Sequence, residues 1–146
     1  MTDTVPLQFR KALLPLLAAI PDMGSCYLGR GYPIGPNEPK PVCLLSHDVS
    51  VNNLIDASHM IIQHKTQIRI ALYFDIQPGG VSLDELADPF RQAIHAIMNG
   101  TARNLSGVQG VIYAQEQPEP EGDAGRLDLI YTVLQRTSQT DLTMVL

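Results

Sequence analysis

The sequence predicts an α+β domain: a mainly antiparallel sheet of about four strands, with two helices packed on one face. Three observations carry this expectation. Residues 66–76, TQIRIALYFDI, alternate strictly, with Ile68, Ile70, Leu72, Phe74 and Ile76 on one side and Gln67, Arg69, Ala71, Tyr73 and Asp75 on the other. That is the period of a strand with one packed face. Ser82 followed by Glu85 opens a second periodic stretch, this one helical, because the two side chains can each satisfy a donor at a helix entrance. Two apolar runs then flank the acidic, proline-spaced segment EQPEPEGDAG at 116–125. The resulting order of helix, strand, strand, helix, strand, strand fits helices segregated to one side of an antiparallel sheet.

The first helix is expected over about 6–19. Phe9, Leu13, Leu16, Leu17 and Ile20 recur at three- and four-residue spacing, Pro6 suits the first turn and Thr4 precedes it as a cap. Pro15 removes a backbone donor, so a bend near the middle is expected. The stretch at 29–41, GRGYPIGPNEPKP, holds four prolines and three glycines, a density that forbids a regular element and predicts an ordered meander. It leads into a short strand at about 41–47. The following DVSVNNLIDASH is equally compatible with a loop and with a bent strand.

After the strand at 66–76, Gln77-Pro78-Gly79-Gly80 forms a stop. The helix opened by Ser82 carries Leu83, Leu86, Ala87, Phe90, Ile94, Ile97 and Met98 as its apolar stripe and ends at Asn99-Gly100. Pro89 within it predicts one kinked helix. Strands are expected at about 108–117 and 126–136. In the second of these Leu127, Leu129, Tyr131 and Val133 alternate with Asp128, Ile130, Thr132 and Leu134, which is apolar on much of both faces and places it centrally in the sheet.

A chain of 146 residues, 45% apolar and 17% charged, fits a single soluble domain over 1–146. No apolar run approaches the roughly 20 residues that span a bilayer, so no membrane association is expected. Asp3, Pro15 and the lack of a small-x-small site before Tyr27 argue against reading the N-terminus as a signal peptide. A protein made in the cytoplasm is expected. Cys26 and Cys43 are too few for a disulfide scaffold and predict two reduced thiols, at least one in the core. The net charge of −5 is unevenly spread: residues 1–73 carry six basic and five acidic side chains, residues 74–146 four and ten. Such an acidic half disfavours specific nucleic-acid binding and suits docking to a basic protein surface.

No catalytic, metal or cofactor site is expected. His47, His59, His64 and His95 include no pair at the helical spacing zinc hydrolases use, and His95 is expected at the surface or rim of its helix. Ser46-His47-Asp48 contains the residue types of a triad, but neighbours on a strand point to opposite faces. GRGYPIG neither follows a strand nor opens a helix, as a phosphate loop would. Asp84 and Glu85 fit the first turn of a helix.

Taken in order, these segments resemble the tail terminator family of long-tailed bacteriophages, also called minor tail or tail completion proteins. The resemblance runs through ALLPLLAAI, GRGYPIGPNEPKPVCLL, IRIALYFDI, LDELADPFRQAIHAIM, the acidic hairpin and the closing LDLIYTVLQRTSQTD. It implies a structural virion protein of the tail and neck, a subunit of a hexameric ring that ends the tail tube and joins tail to head. The implied partners are copies of itself, the tail tube protein and the head–tail connector protein, with DNA passing through the lumen. No catalytic residue, cofactor or metal comes with it. Two other readings fit the same residues: a head–tail connector or adaptor protein, and a small cytoplasmic ligand-binding protein or enzyme. Under the ring reading Glu116, Glu119, Glu121 and Asp123 are the expected partner-interface residues, on a loop stiffened by Pro118 and Pro120 that projects from two firmly held strands. The meander, with Pro33, Pro36 and Pro39, is the second expected docking loop.

Overall fold

The structure, a computed structural model, describes residues 3–29, 35, 37–76, 79–105, 107–121 and 124–146, and the side chains of 48–50, 119–121 and 124 also lie outside the description. Helix α1 spans Val5–Ala18 and α2 spans Leu83–Asn99, followed by a 3-10 turn at Thr101–Asn104. Five strands, β1 (Cys26–Leu28), β2 (Val42–Asp56), β3 (Ile61–Asp75), β4 (Val108–Glu121) and β5 (Ala124–Ser138), form one sheet in the order β1-β2-β3-β5-β4. The expected sheet of about four antiparallel strands is therefore corrected to a mixed one of five. The added strand, β1, runs parallel to β2. Three residues, CYL, are too few to show a period, so only pairing with Cys43–Leu45 reveals them as a strand.

Alternation sorts the core as expected. Ile68, Ile70, Leu72 and Phe74 of β3 join Leu127, Leu129, Tyr131 and Val133 of β5, Cys43 and Leu45 of β2, and Val111 of β4 in one buried cluster. Phe9, Leu13 and Leu17 of α1 and Leu83, Ala87, Phe90, Ile94 and Met98 of α2 complete it, so both helices cover the same face. Phe74 and Phe90 meet edge to face at 5.7 Å. Each large side chain buried this way contributes about 1.5–3 kcal/mol.

Both helices are continuous over their interior prolines, Pro15 and Pro89. Ser82 caps α2 as expected, its Oγ accepting the Glu85 N–H at 3.3 Å. At α1 the cap differs. Thr4 occupies the N-cap position with extended backbone, yet its side chain makes no capping bond. The Val5 N–H instead donates to the Leu142 carbonyl at 2.9 Å, so the C-terminal tail satisfies one of the orphan donors at the helix start. Gln8 Nε2 reinforces the junction by donating to Thr143 O at 2.8 Å.

The strand expected over 41–47 continues to Asp56, and β3 begins at Ile61 rather than near 66. The ambiguous segment is thus one half of a long hairpin, with Asn52 opposite His64 and Leu54 opposite Ile62. Its polar pattern obscures a strand held by ladder pairing and by its turn. There Asp56 Oδ1 accepts the N–H groups of Ser58 and His59 at 3.0 and 3.1 Å, a side-chain mimic of a backbone turn. Of the predicted meander, residues 30–34 and 36 lie outside the described residues. Cys43 is buried and Cys26 half-buried, both as free thiols.

Candidate assembly surface

The segment expected to project as a loop, 116–125, is mostly strand. Glu116 to Glu121 lie in β4 opposite Leu129 to Ala124 of β5. Prolines argue against a central strand, but β4 is an edge, and Pro118 and Pro120 share parity. Both nitrogens therefore face one side, and on an edge strand the open side loses no ladder bond. Asp123 lies outside the described residues, as do the side chains of Glu119 and Glu121.

Glu116 is engaged within the subunit. A register shift between Tyr113 and Gln115 inserts one residue, so Tyr113 and Glu116, three apart, both pair with inward-facing positions of β5. This bulge brings Glu116 beneath α2, where Arg91 Nε and Nη2 donate to it at 3.0 and 2.6 Å. Arg91 also meets Asp88 and Asp84 at 2.8 Å each. These carboxylates, Glu116 first, raise the Arg91 pKa. Beside the clamp, Tyr131 bonds to His95 Nδ1, and the His95 ring meets Tyr113 edge-on at 4.7 Å. His95 is half-buried at the rim of α2, as expected, but it is also tied to the core through Tyr131. Burial raises the Tyr131 pKa, with the neighbouring Tyr113 and Glu116 adding to the shift.

The sheet face away from the helices carries a second charge cluster. Asp128, wholly buried, receives Arg126 Nε and Nη2 at 2.7 Å each and is paired with Arg69. Arg126 lies 5.5 Å above the Tyr73 ring. Sequence alternation places these residues on one face but cannot show that Ala71, opposite Asp128, leaves room for the two guanidinium groups to converge.

Two strand edges are open among the described residues. β1 covers β2 only at Cys43–Leu45, leaving 46–56, about 35 Å of strand at 3.3 Å per residue. At the opposite side of the sheet, β4 presents 108–116 before its prolines begin. Both edges carry exposed apolar side chains: Val51, Leu54, Ile55 and Met60 on the hairpin arm, and Ile112 (56% exposed) and Tyr113 on β4. The C-terminal Met144, Val145 and Leu146 are exposed as well, with Val145 bridging to Thr137 as a short extension beside β5. Gly107, with φ +66° and Val145 Cγ1 placed 1.9 Å from where its Cβ would stand, lets the tail lie against the start of β4.

At the base of the arm the helix-facing side of the sheet turns polar. His64, Thr66, Gln135 and Thr137 are all buried there. His64 holds its neighbours through Nδ1 to Asn52 Oδ1 and Nε2 to Thr137 Oγ1, both at 2.7 Å, and burial lowers its pKa. His59 instead sits in the exposed hairpin turn, 2.8 Å from Asp56. Among the described residues no three His, Cys, Asp or Glu side chains gather as a metal site.

No protein-family model matches the chain, and no curated protein matches it. Among solved structures, it is similar to a chain of a structure titled "Virion of native gene transfer agent (GTA) particle", at 15% identity, over 92% of each chain, with a TM-score of 0.43.

Proposed function

We propose that this chain is a structural virion protein whose subunits join head to tail into a ring, hexameric in the reading its sequence resemblance implies. The ring would end a tail tube and join it to the head connector, with no catalytic role for the subunit. The observation supporting the assembly is the pair of open strand edges on opposite sides of one sheet. Each is long and bears exposed apolar side chains, a combination that natural proteins avoid leaving unpartnered. Pairing the 46–56 edge of one subunit with the 108–116 edge of the next continues the sheet between different surfaces, which is the geometry that closes a ring. The acidic β4–β5 hairpin then recurs around the ring. It is the proposed site where Glu119, Glu121 and Asp123 steer a basic partner; Glu116, clamped by Arg91, is not assigned that role.

The test is native mass spectrometry with electron microscopy of the wild type and two variants, Leu54→Lys and Ile112→Lys. Head-to-tail pairing predicts rings for the wild type and monomers for each variant alone. Mixing the variants should give a heterodimer, because each retains the edge the other has lost. If Leu54→Lys abolishes assembly while Ile112→Lys leaves it unchanged, the arms pair with each other and the ring geometry is wrong. A wild type monomeric up to about 1 mM, which limits self-association to about 4 kcal/mol, would overturn the reading.

A further inference from the structure

Between the start of α1 and the base of the β2–β3 arm lies a cavity of about 250 Å³, whose lining includes Arg10, His47, Asn52, His64, Thr66 and Leu142. Two of these side chains lack partners among the described residues. Thr66 is 2% exposed, and its Oγ1 has no hydrogen-bond partner among the described residues. Arg10 is half-buried, and among the described residues it makes no ion pair and no Asp or Glu lines the cavity. A buried hydroxyl without a partner is destabilising, and a half-buried guanidinium gains from a counter-charge. Burial accordingly lowers the Arg10 pKa. The first turn of α1 contains no acid either, so its partial positive charge is met by the Leu142 carbonyl rather than by a first-turn carboxylate. Arg10 additionally borders a second cavity of about 350 Å³ with Leu7, Leu45 and His47.

We propose that the Arg10–Thr66 cavity is an oxyanion site that takes a carboxylate or phosphate group. The guanidinium offers a planar fork of donors suited to two oxygens of such a group, and Thr66 Oγ1 supplies a hydroxyl donor from the sheet. His64 is held by Asn52 and Thr137 and forms part of the wall. This site does not depend on the ring reading. The group can come from a free phosphate ion or from an acidic side chain of a second copy of this chain, and the two sources present the same chemistry to Arg10.

The test titrates the full chain with inorganic phosphate at low ionic strength and follows NMR signals of Arg10, Thr66 and the surrounding amides. Saturable shifts centred on these residues are expected in the wild type. Binding should be about tenfold or more weaker in Arg10→Gln, as loss of a charge-assisted contact predicts, and intermediate in Arg10→Lys, which keeps charge but loses the fork. Thr66→Val should weaken binding while retaining the fold. Shifts that never saturate, or identical curves for the wild type and Arg10→Gln, would overturn the site. If phosphate and Arg10→Gln also lower the oligomeric mass, the site stands and its occupant is a neighbour's carboxylate. If binding occurs with the mass unchanged, the site stands and takes the free ion. Should Arg10→Gln fail to fold, phosphate-dependent thermal stabilisation of the wild type, reduced in Thr66→Val, gives the same decision.

Discussion

Asp128→Asn isolates the energetic core of the outer sheet face. The carboxylate is wholly buried, while the Arg126 and Arg69 side chains retain 33% and 23% of their exposure. Three charge-assisted bonds converge on it, and each such bond contributes about 1.5–3 kcal/mol. Asparagine keeps the shape and one acceptor, but its amide turns donors toward a guanidinium donor. Removing one partner of a buried ion pair costs about 3–5 kcal/mol. Because both arginines can recover some hydration, the lower end applies, about 3 kcal/mol. For a domain of this size each kcal/mol lowers Tm by roughly 2–4 °C, so a fall of about 6–12 °C is expected. Urea and thermal unfolding by circular dichroism measure it, at one fixed protein concentration because assembly adds concentration-dependent stability. A loss below about 1 kcal/mol, or one that vanishes near 1 M salt, would refute the reasoning. Either result would mark an ordinary screened surface pair.

Leu72→Ala and Phe74→Ala should each cost about 2–5 kcal/mol by the same unfolding assay, as large-to-small changes do in packed cores. Tyr131 has a raised folded-state pKa, so its stabilising contribution is complete below the unfolded value of about 10 and declines as pH rises above it. Tyr131→Phe should flatten that alkaline loss. His64 has a lowered folded-state pKa, so the unfolded chain binds its proton first and stability should fall as pH drops below about 6.5. His64→Gln should reduce this slope in unfolding measured from pH 7.5 to 5. A slope unchanged in that variant would remove His64 as the cause.

Local chemistry was sufficient for the elements whose pattern is continuous. The 66–76 alternation, the apolar stripe of α2 with its Ser82–Glu85 box, and the two-sided apolar strand at 126–136 each appear as expected, since period 2 and period 3.6 are properties of neighbouring residues. A further signal is visible in the sequence once β3 is extended backward. Positions 64 and 66 keep the inward parity of Ile68 and Ile70 but are His and Thr, and Gln135 and Thr137 do the same beyond Val133. That break in the apolar series marks the polar end of the core where the Arg10–Thr66 cavity lies.

Tertiary structure alone decided the rest. β1 exists only because Cys43–Leu45 offers it a parallel partner, and 51–56 is strand only because 61–65 returns beside it. The C-terminal tail, not Thr4, satisfies the first donor of α1, a contact between residues 137 positions apart in the chain. A single inserted residue near Ala114 changes the parity of β4 and turns Glu116 from an expected outward acid into the inward partner of Arg91. Pairing, bulges and cavities depend on residues distant in the chain, whose mutual placement no local period encodes.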